Sequence, residues 1–196
     1  MPEISAPARL LAAAAGPIKK WCSGWYLFGA QAVILWGRPR LTADVDITVR
    51  LPWEHISGFC RDMEKYGFRL RMADPQFLER THVLPFLHEP TQLPLDVVLA
   101  GPGLEDTFIE RALPIDIEGL SVPVVSPEDL IVMKVLAGRP KDREDLRTIL
   151  HERGAKLDID YIRSTLELLE QALGQSDLLP FLESELARGT NHGRQP

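Results

Sequence analysis

Residues 28–49 read FGAQAVILWGRPRLTADVDITV, and the local signals in this stretch fix how the chain is built around them. Phe28 closes a short aromatic and aliphatic run from Trp25 that reads as a strand. Gly29 then turns the chain into a short helix over Gln31–Trp36, stopped by Gly37 and Pro39. From Asp44 to Val49 polar and apolar residues alternate, the period of a strand with one buried face. Asp44 and Asp46 then project from one side, and Val45, Ile47 and Val49 from the other. Two carboxylates on one face repel each other and add nothing to a core. A hard cation between them would account for the pair, and so would a solvated strand face.

Working outward, Pro52–Tyr66 carries Ile56, Phe59, Cys60 and Met63 at helical spacing, with Gly67 as its stop. Short strands are expected near Phe68–Arg71, His82–Phe86 and Leu95–Leu99. A helix follows over Glu105–Leu113, then a strand pair, Ile115–Ile117 and Val122–Val125, turning at Gly119. Ser126-Pro127-Glu128-Asp129 is the clearest helix start in the chain: a capping serine, proline at the first position and acids in the first turn. Gly138 and Pro140 end that helix, and Asp142–Glu152, Tyr161–Leu173 and Leu178–Leu186 read as three more. Strands interleaved with helices, then helices alone, predict an α/β (α+β) sheet domain over 1–125 and a helical C-terminal lobe over 126–188. The polar residues 189–196 are expected to form a frayed, flexible tail.

The 196 residues are 45% hydrophobic and 26% charged, an ordinary globular composition. The apolar run Leu10–Ala15 is too short to span a membrane. It is followed by Gly16, Pro17 and then Lys19 and Lys20, and its lysines follow rather than precede it, so it reads as a packed helix rather than a signal peptide. Cys22 and Cys60 form no CxxC pair and are expected as free thiols of a cytoplasmic protein. The net charge of −6 opposes a surface given over to nucleic acid, though Arg139, Lys141, Arg143 and Arg147 form a local basic cluster. None of the five histidines has ligand spacing.

Other residues add to the acidic pair. Asp96 interrupts the apolar run Leu93–Leu99, where an acid is costly unless it is paired, coordinated or at an open face. The turn at Gly29-Ala30 precedes a helix start, whose backbone N–H groups can hold phosphate. Arg38, Arg40 and Thr42 lie between that turn and the acids. Lys134 sits in a helix that is apolar almost all round, so its head either snorkels outward or meets an anion. If the head meets the phosphates, a Lys134→Met variant is expected to keep or raise its melting temperature while binding triphosphate more weakly. Asp142 and Asp145 share a helix face at i, i+3, where they either orient Lys134 or Arg139 or are simply solvated.

The order Gly29-Ala30, Asp44-x-Asp46, then Asp96 resembles the nucleotidyltransferase superfamily that includes DNA polymerase β. The string from Phe28 to Val49 is similar to bacterial minimal nucleotidyltransferases and to the toxins of abortive-infection (AbiEii-type) toxin–antitoxin systems. Gly29, Ala32, Gly37, Arg40, Thr42, Asp44 and Asp46 match their pattern, while Ala30 stands where they have a second glycine or a serine. LPLDVVLAG (93–101) fits the strand of the third acid, and SPEDLIVMKVLAGRPKDREDL (126–146) resembles their later helical signature.

The resemblance implies a nucleotidyltransferase-type mixed sheet flanked by helices. It also implies transfer of a nucleoside monophosphate from an NTP such as ATP to an acceptor hydroxyl. Asp44, Asp46 and Asp96 would be catalytic and would hold Mg²⁺ or Mn²⁺. Gly29, Ala30, Arg40, Thr42, Lys134, Asp142 and Asp145 would bind the nucleotide. The acceptor would be RNA, for example a tRNA end, with an antitoxin protein as a possible partner. Alternatives are a protein or small-molecule acceptor of the antibiotic type, or a non-catalytic nucleotide-binding module.

Overall fold

The computed structural model describes residues 4–42 and 44–192. Its elements run α1 (Ala6–Trp21), β1 (Trp25–Phe28), α2 (Gly29–Trp36), β2 (Val45–Val49), α3 (Ile56–Lys65), β3 (Phe68–Leu70), α4 (Pro75–Thr81), β4 (Val83–His88), β5 (Leu93–Leu99), α5 (Leu104–Arg111), β6 (Leu113–Ile117) and β7 (Leu120–Val124). Four helices follow: α6 (Pro127–Ala137), α7 (Pro140–Arg153), α8 (Ile159–Leu173) and α9 (Leu178–His192). Residues 193–196 of the expected tail lie outside the described residues. No helix among the described residues is long and apolar enough to cross a membrane.

The chain divides into two compact units, one of Met1–Gln31 with Leu41–Val125, the other of Ala32–Arg40 with Ser126–Pro196. All the strands lie in the first unit, in one mixed sheet of order β3-β4-β5-β2-β1-β7-β6. β2 is central, antiparallel to β1 and parallel to β5. Val45, Ile47 and Val49 of β2 and Leu95, Val97 and Leu99 of β5 lie in register, and all are buried. Each such aliphatic side chain contributes roughly 1.5–3 kcal/mol of burial, and a one-residue slip would put the acids in the core instead.

One element extends the expected packed helix, and one was not expected. α1 continues through Pro17 to Trp21, because its far end is held: Lys20 Nζ and Trp21 Nε1 donate to Asp62 at 2.5 and 2.8 Å. α4 was not expected, although Asp74 caps it through the Gln76 N–H at 3.0 Å and Pro75 opens it.

In the helical unit, Ser126 caps α6 as expected, accepting from the Asp129 N–H at 3.1 Å, and Gly138 closes it in the left-handed region. Leu130 and Val135 of α6, Leu146 and Ile149 of α7, Ile162 of α8 and Leu182 of α9 are buried core residues. Ala32–Arg40 also belong to this unit. Arg153 donates to the carbonyls of Leu35 and Trp36 at 2.9 and 3.3 Å and lies over the Trp36 ring.

Candidate active site

The sheet register brings the acids together. Asp46 pairs laterally with Asp96 on β5 and with Phe28 on β1, and Asp96 pairs with Pro85 on β4. Laterally paired residues share a sheet face, so Pro85, Asp96, Asp46 and Phe28 form a row across four strands. The Arg71 N–H donates to the Pro85 carbonyl at 2.8 Å and extends the row past the end of β3. In an antiparallel strand the N and C=O of a residue face the same neighbour. The N–H that Pro85 lacks would face the Arg71 carbonyl, so the reciprocal bond is missing and the β3–β4 ladder stops there.

Where β1 ends, Gly29 opens α2 at φ +63, and a Cβ on it would lie 2.0 Å from Asp46 Oδ2. Glycine is needed here for two reasons: the left-handed backbone and the close approach of a carboxylate. The Asp46 carboxylate thus lies against the positive end of α2. Gly29→Ala is expected to cost about 1–2 kcal/mol in backbone strain and to displace that carboxylate. Melting should fall by a few degrees in calorimetry, and transfer activity should fall toward that of an Asp46 substitution. A variant of full activity would show that the approach of Asp46 to Gly29 has no catalytic role.

Asp44 lies one residue before β2, is exposed, and has a backbone carbonyl that accepts from Gln31 Nε2 at 3.5 Å. Asp96 is held by Arg71, whose Nη2 donates to its Oδ1. No group of three His, Cys, Asp or Glu side chains among the described residues closes into a set that could hold a metal ion. The structure pairs two of the three expected acids, Asp46 and Asp96. Ala30 is buried on α2, and Thr42 is half-buried before β2. Arg71 had no signal in the sequence, since its partner is 25 residues away.

Arg40, Lys134, Asp142 and Asp145 come together in the helical unit. Lys134 Nζ donates to Asp142 Oδ1 at 2.9 Å and to Asp145 Oδ2 at 2.7 Å, with all three side chains buried. Arg40 forks onto Asp145 at 2.9 and 3.1 Å, and Arg139 onto Asp142 at 2.5 and 3.2 Å. Burial pushes the Asp142 carboxyl up, but the hydrogen bonds from Arg139 and Lys134 outweigh it and hold the carboxyl below its ordinary value. Lys134 therefore does not snorkel; it is the buried centre of an ion cluster, and Asp142 and Asp145 are its partners rather than solvated acids. The basic cluster is also largely engaged: Arg147 forks onto buried Glu185 at 2.5 and 2.8 Å, and Arg143 lies over the Phe181 ring at 4.9 Å.

The family described as nucleotidyltransferase of unknown function (DUF6036) matches residues 19–171. The chain belongs to that family. No match was found among curated proteins. Among solved structures, this nucleotidyltransferase is similar to the antibiotic-resistance factor ANT(2'')-Ia in solution, at 18% identity over 86% of this chain and 93% of that one, with a TM-score of 0.56. It is also similar to an antigenic nucleotidyltransferase-like protein from Paracoccidioides brasiliensis, at 17% identity over 94% of each chain, with a TM-score of 0.54. A crystal structure of ANT(2'')-Ia in complex with adenylyl-2''-tobramycin aligns at 20% identity over 81% of this chain and 93% of that one, with a TM-score of 0.53. At these identities the likeness is one of fold.

Proposed function

We propose that this nucleotidyltransferase moves a nucleoside monophosphate from an NTP to an acceptor hydroxyl, with Asp46 and Asp96 holding a divalent cation. The observation that carries this is the lateral register of Asp46 and Asp96, with the Asp46 carboxylate set against the first turn of α2. Mg²⁺ is usually held by one or two protein carboxylates and completes its octahedron with phosphate oxygens and water. Two half-exposed carboxylates side by side fit that demand, while Asp44 lies exposed one residue before β2. When bound, the cation offsets phosphate charge and the charge of the leaving pyrophosphate.

The chain's own groups supply the rest. The first N–H groups of α2, at Gly29 and Ala30, lack intrahelical acceptors and receive a phosphate oxygen. The acceptor oxygen bonds to the α-phosphorus, the bond to the β-phosphate oxygen breaks, and pyrophosphate leaves with that electron pair. The hydroxyl proton passes to Asp96 Oδ2, the oxygen that Arg71 does not hold. Lys134 commits two of its three ammonium donors to Asp142 and Asp145 and so holds the ion cluster of the helical unit together. Arg40 positions Asp145 within that cluster.

For the acceptor, the engagement of Arg139, Arg143 and Arg147 with Asp142, Phe181 and Glu185 favours a hydroxylated small molecule over RNA, because RNA affinity rests on cations directed at phosphate. The test is incubation with each α-labelled NTP and Mg²⁺, offering an aminoglycoside, total RNA or lysate protein. Label on the small molecule, absent with Asp46→Asn, is the expected result. Label on RNA, with binding that weakens steeply as salt rises, would overturn the acceptor assignment alone. Absence of transfer together with absence of metal-dependent NTP binding would overturn the function.

A further inference from the structure

Arg71 is anchored three times on the face that carries the acids. Its N–H donates to the Pro85 carbonyl at 2.8 Å, its Nε to the Phe86 carbonyl at 3.2 Å, and its Nη2 to Asp96 Oδ1. Pro85 stands between Arg71 and Asp96 in the row. Arginine is suited to this place, because its planar fork can satisfy a backbone carbonyl and a carboxylate at once. Other arginines of the sheet unit form surface pairs away from the row, Arg50 with Asp106 and Arg69 with Glu89. The side chains of Arg71 and Asp96 are 41% and 37% exposed, so their ion pair adds little to stability. Its position on one acid of the candidate metal pair is what calls for an explanation.

We infer that Arg71 is a positioning residue that acts as the resident counter-cation of Asp96, so that the divalent ion loads together with the nucleotide rather than ahead of it. This rests on the metal assignment made above for Asp46 and Asp96. Without nucleotide, Asp44, Asp46 and Asp96 carry three negative charges, and Arg71 cancels one of them. A divalent cation arriving alone meets both this reduced charge and the repulsion of the guanidinium. An NTP brings its own negative charge and phosphate ligands, which outweigh one arginine. Arg71 takes up Asp96 Oδ1, which leaves Oδ2 as the oxygen offered to the substrate.

The test is binding of Mn²⁺ to the nucleotide-free protein, read by electron paramagnetic resonance of the free ion. Removing a unit positive charge from a half-exposed site is expected to tighten the affinity for a divalent ion about tenfold in Arg71→Gln. Arg71→Lys, which keeps the charge, should stay close to the unaltered protein. Asp46→Asn should lose Mn²⁺ in either background. If Arg71→Gln binds Mn²⁺ no more tightly while Asp46→Asn loses it, the counter-cation role fails and the metal assignment stands. If Asp46→Asn leaves Mn²⁺ binding unchanged in both backgrounds, the metal assignment fails, and the role of Arg71 fails with it. Far-ultraviolet circular dichroism of each variant separates these outcomes from misfolding.

Discussion

Asp46→Asn is expected to abolish nucleotidyl transfer while leaving the protein folded. The side chain sits at the centre of the row, beside Asp96 on one side and Gly29 on the other. Asparagine keeps its shape and removes the charge. With half of the carboxylate pair gone, the loss of transition-state stabilisation should be about 3 kcal/mol or more, at least two decades in rate. The effect on stability is small and has two opposed parts. The carboxylate loses its favourable place at the N-terminus of α2, worth about 0.3–1 kcal/mol, and Asp96 loses a like-charged neighbour. For a chain of this length 1 kcal/mol moves melting by roughly 2–4 °C, so the midpoint should stay within a few degrees. Label transfer and scanning calorimetry on the same preparation test both halves. A variant retaining transfer within tenfold of the unaltered protein would remove Asp46 from the chemistry, and with it the metal assignment.

What the sequence revealed of this site follows from the range of each interaction. The strand of Asp46, the turn at Gly29 and the Ser126 cap are set by neighbours a few residues apart, and a linear pattern records them. Asp96 stood out because an acid inside an apolar strand needs a local explanation. Arg71 did not, because its meaning depends on β4 lying between β3 and β5. Asp44 was placed on the strand by alternation, but the β ladder begins one residue later. Lys134 could be seen as a cation among apolar residues, but not as the centre of a cluster, since Arg40 joins that cluster from 105 residues away from Asp145.

That cluster reverses the expectation for Lys134→Met, which should destabilise the protein rather than leave melting unchanged. Methionine matches the volume of the lysine stem, so packing is kept and the loss is electrostatic. Two buried carboxylates each lose an ammonium hydrogen bond, at 2.9 and 2.7 Å. Removing one partner of a buried ion pair costs about 3–5 kcal/mol. The low end applies, because Arg40 and Arg139 still reach both oxygens of Asp145 and Asp142. A loss of about 3 kcal/mol corresponds to a melting temperature lower by roughly 6–12 °C. The pH dependence gives an independent check. In the unaltered protein the Asp142 carboxyl is held below its ordinary value of 3.8. Its contribution to stability is therefore complete above that pH and is lost as pH falls through the lower folded value. In the variant the Asp142 carboxyl keeps its burial but loses a cation, so its folded value rises, and protonation on acidification relieves part of the penalty. The gap in stability between the two proteins should narrow as pH is lowered toward 4. Denaturant titrations at pH 7 and pH 4.5 measure this directly. An equal gap at both pH values, or no change in melting, would mean that Lys134 does not support Asp142 and Asp145 in the folded state.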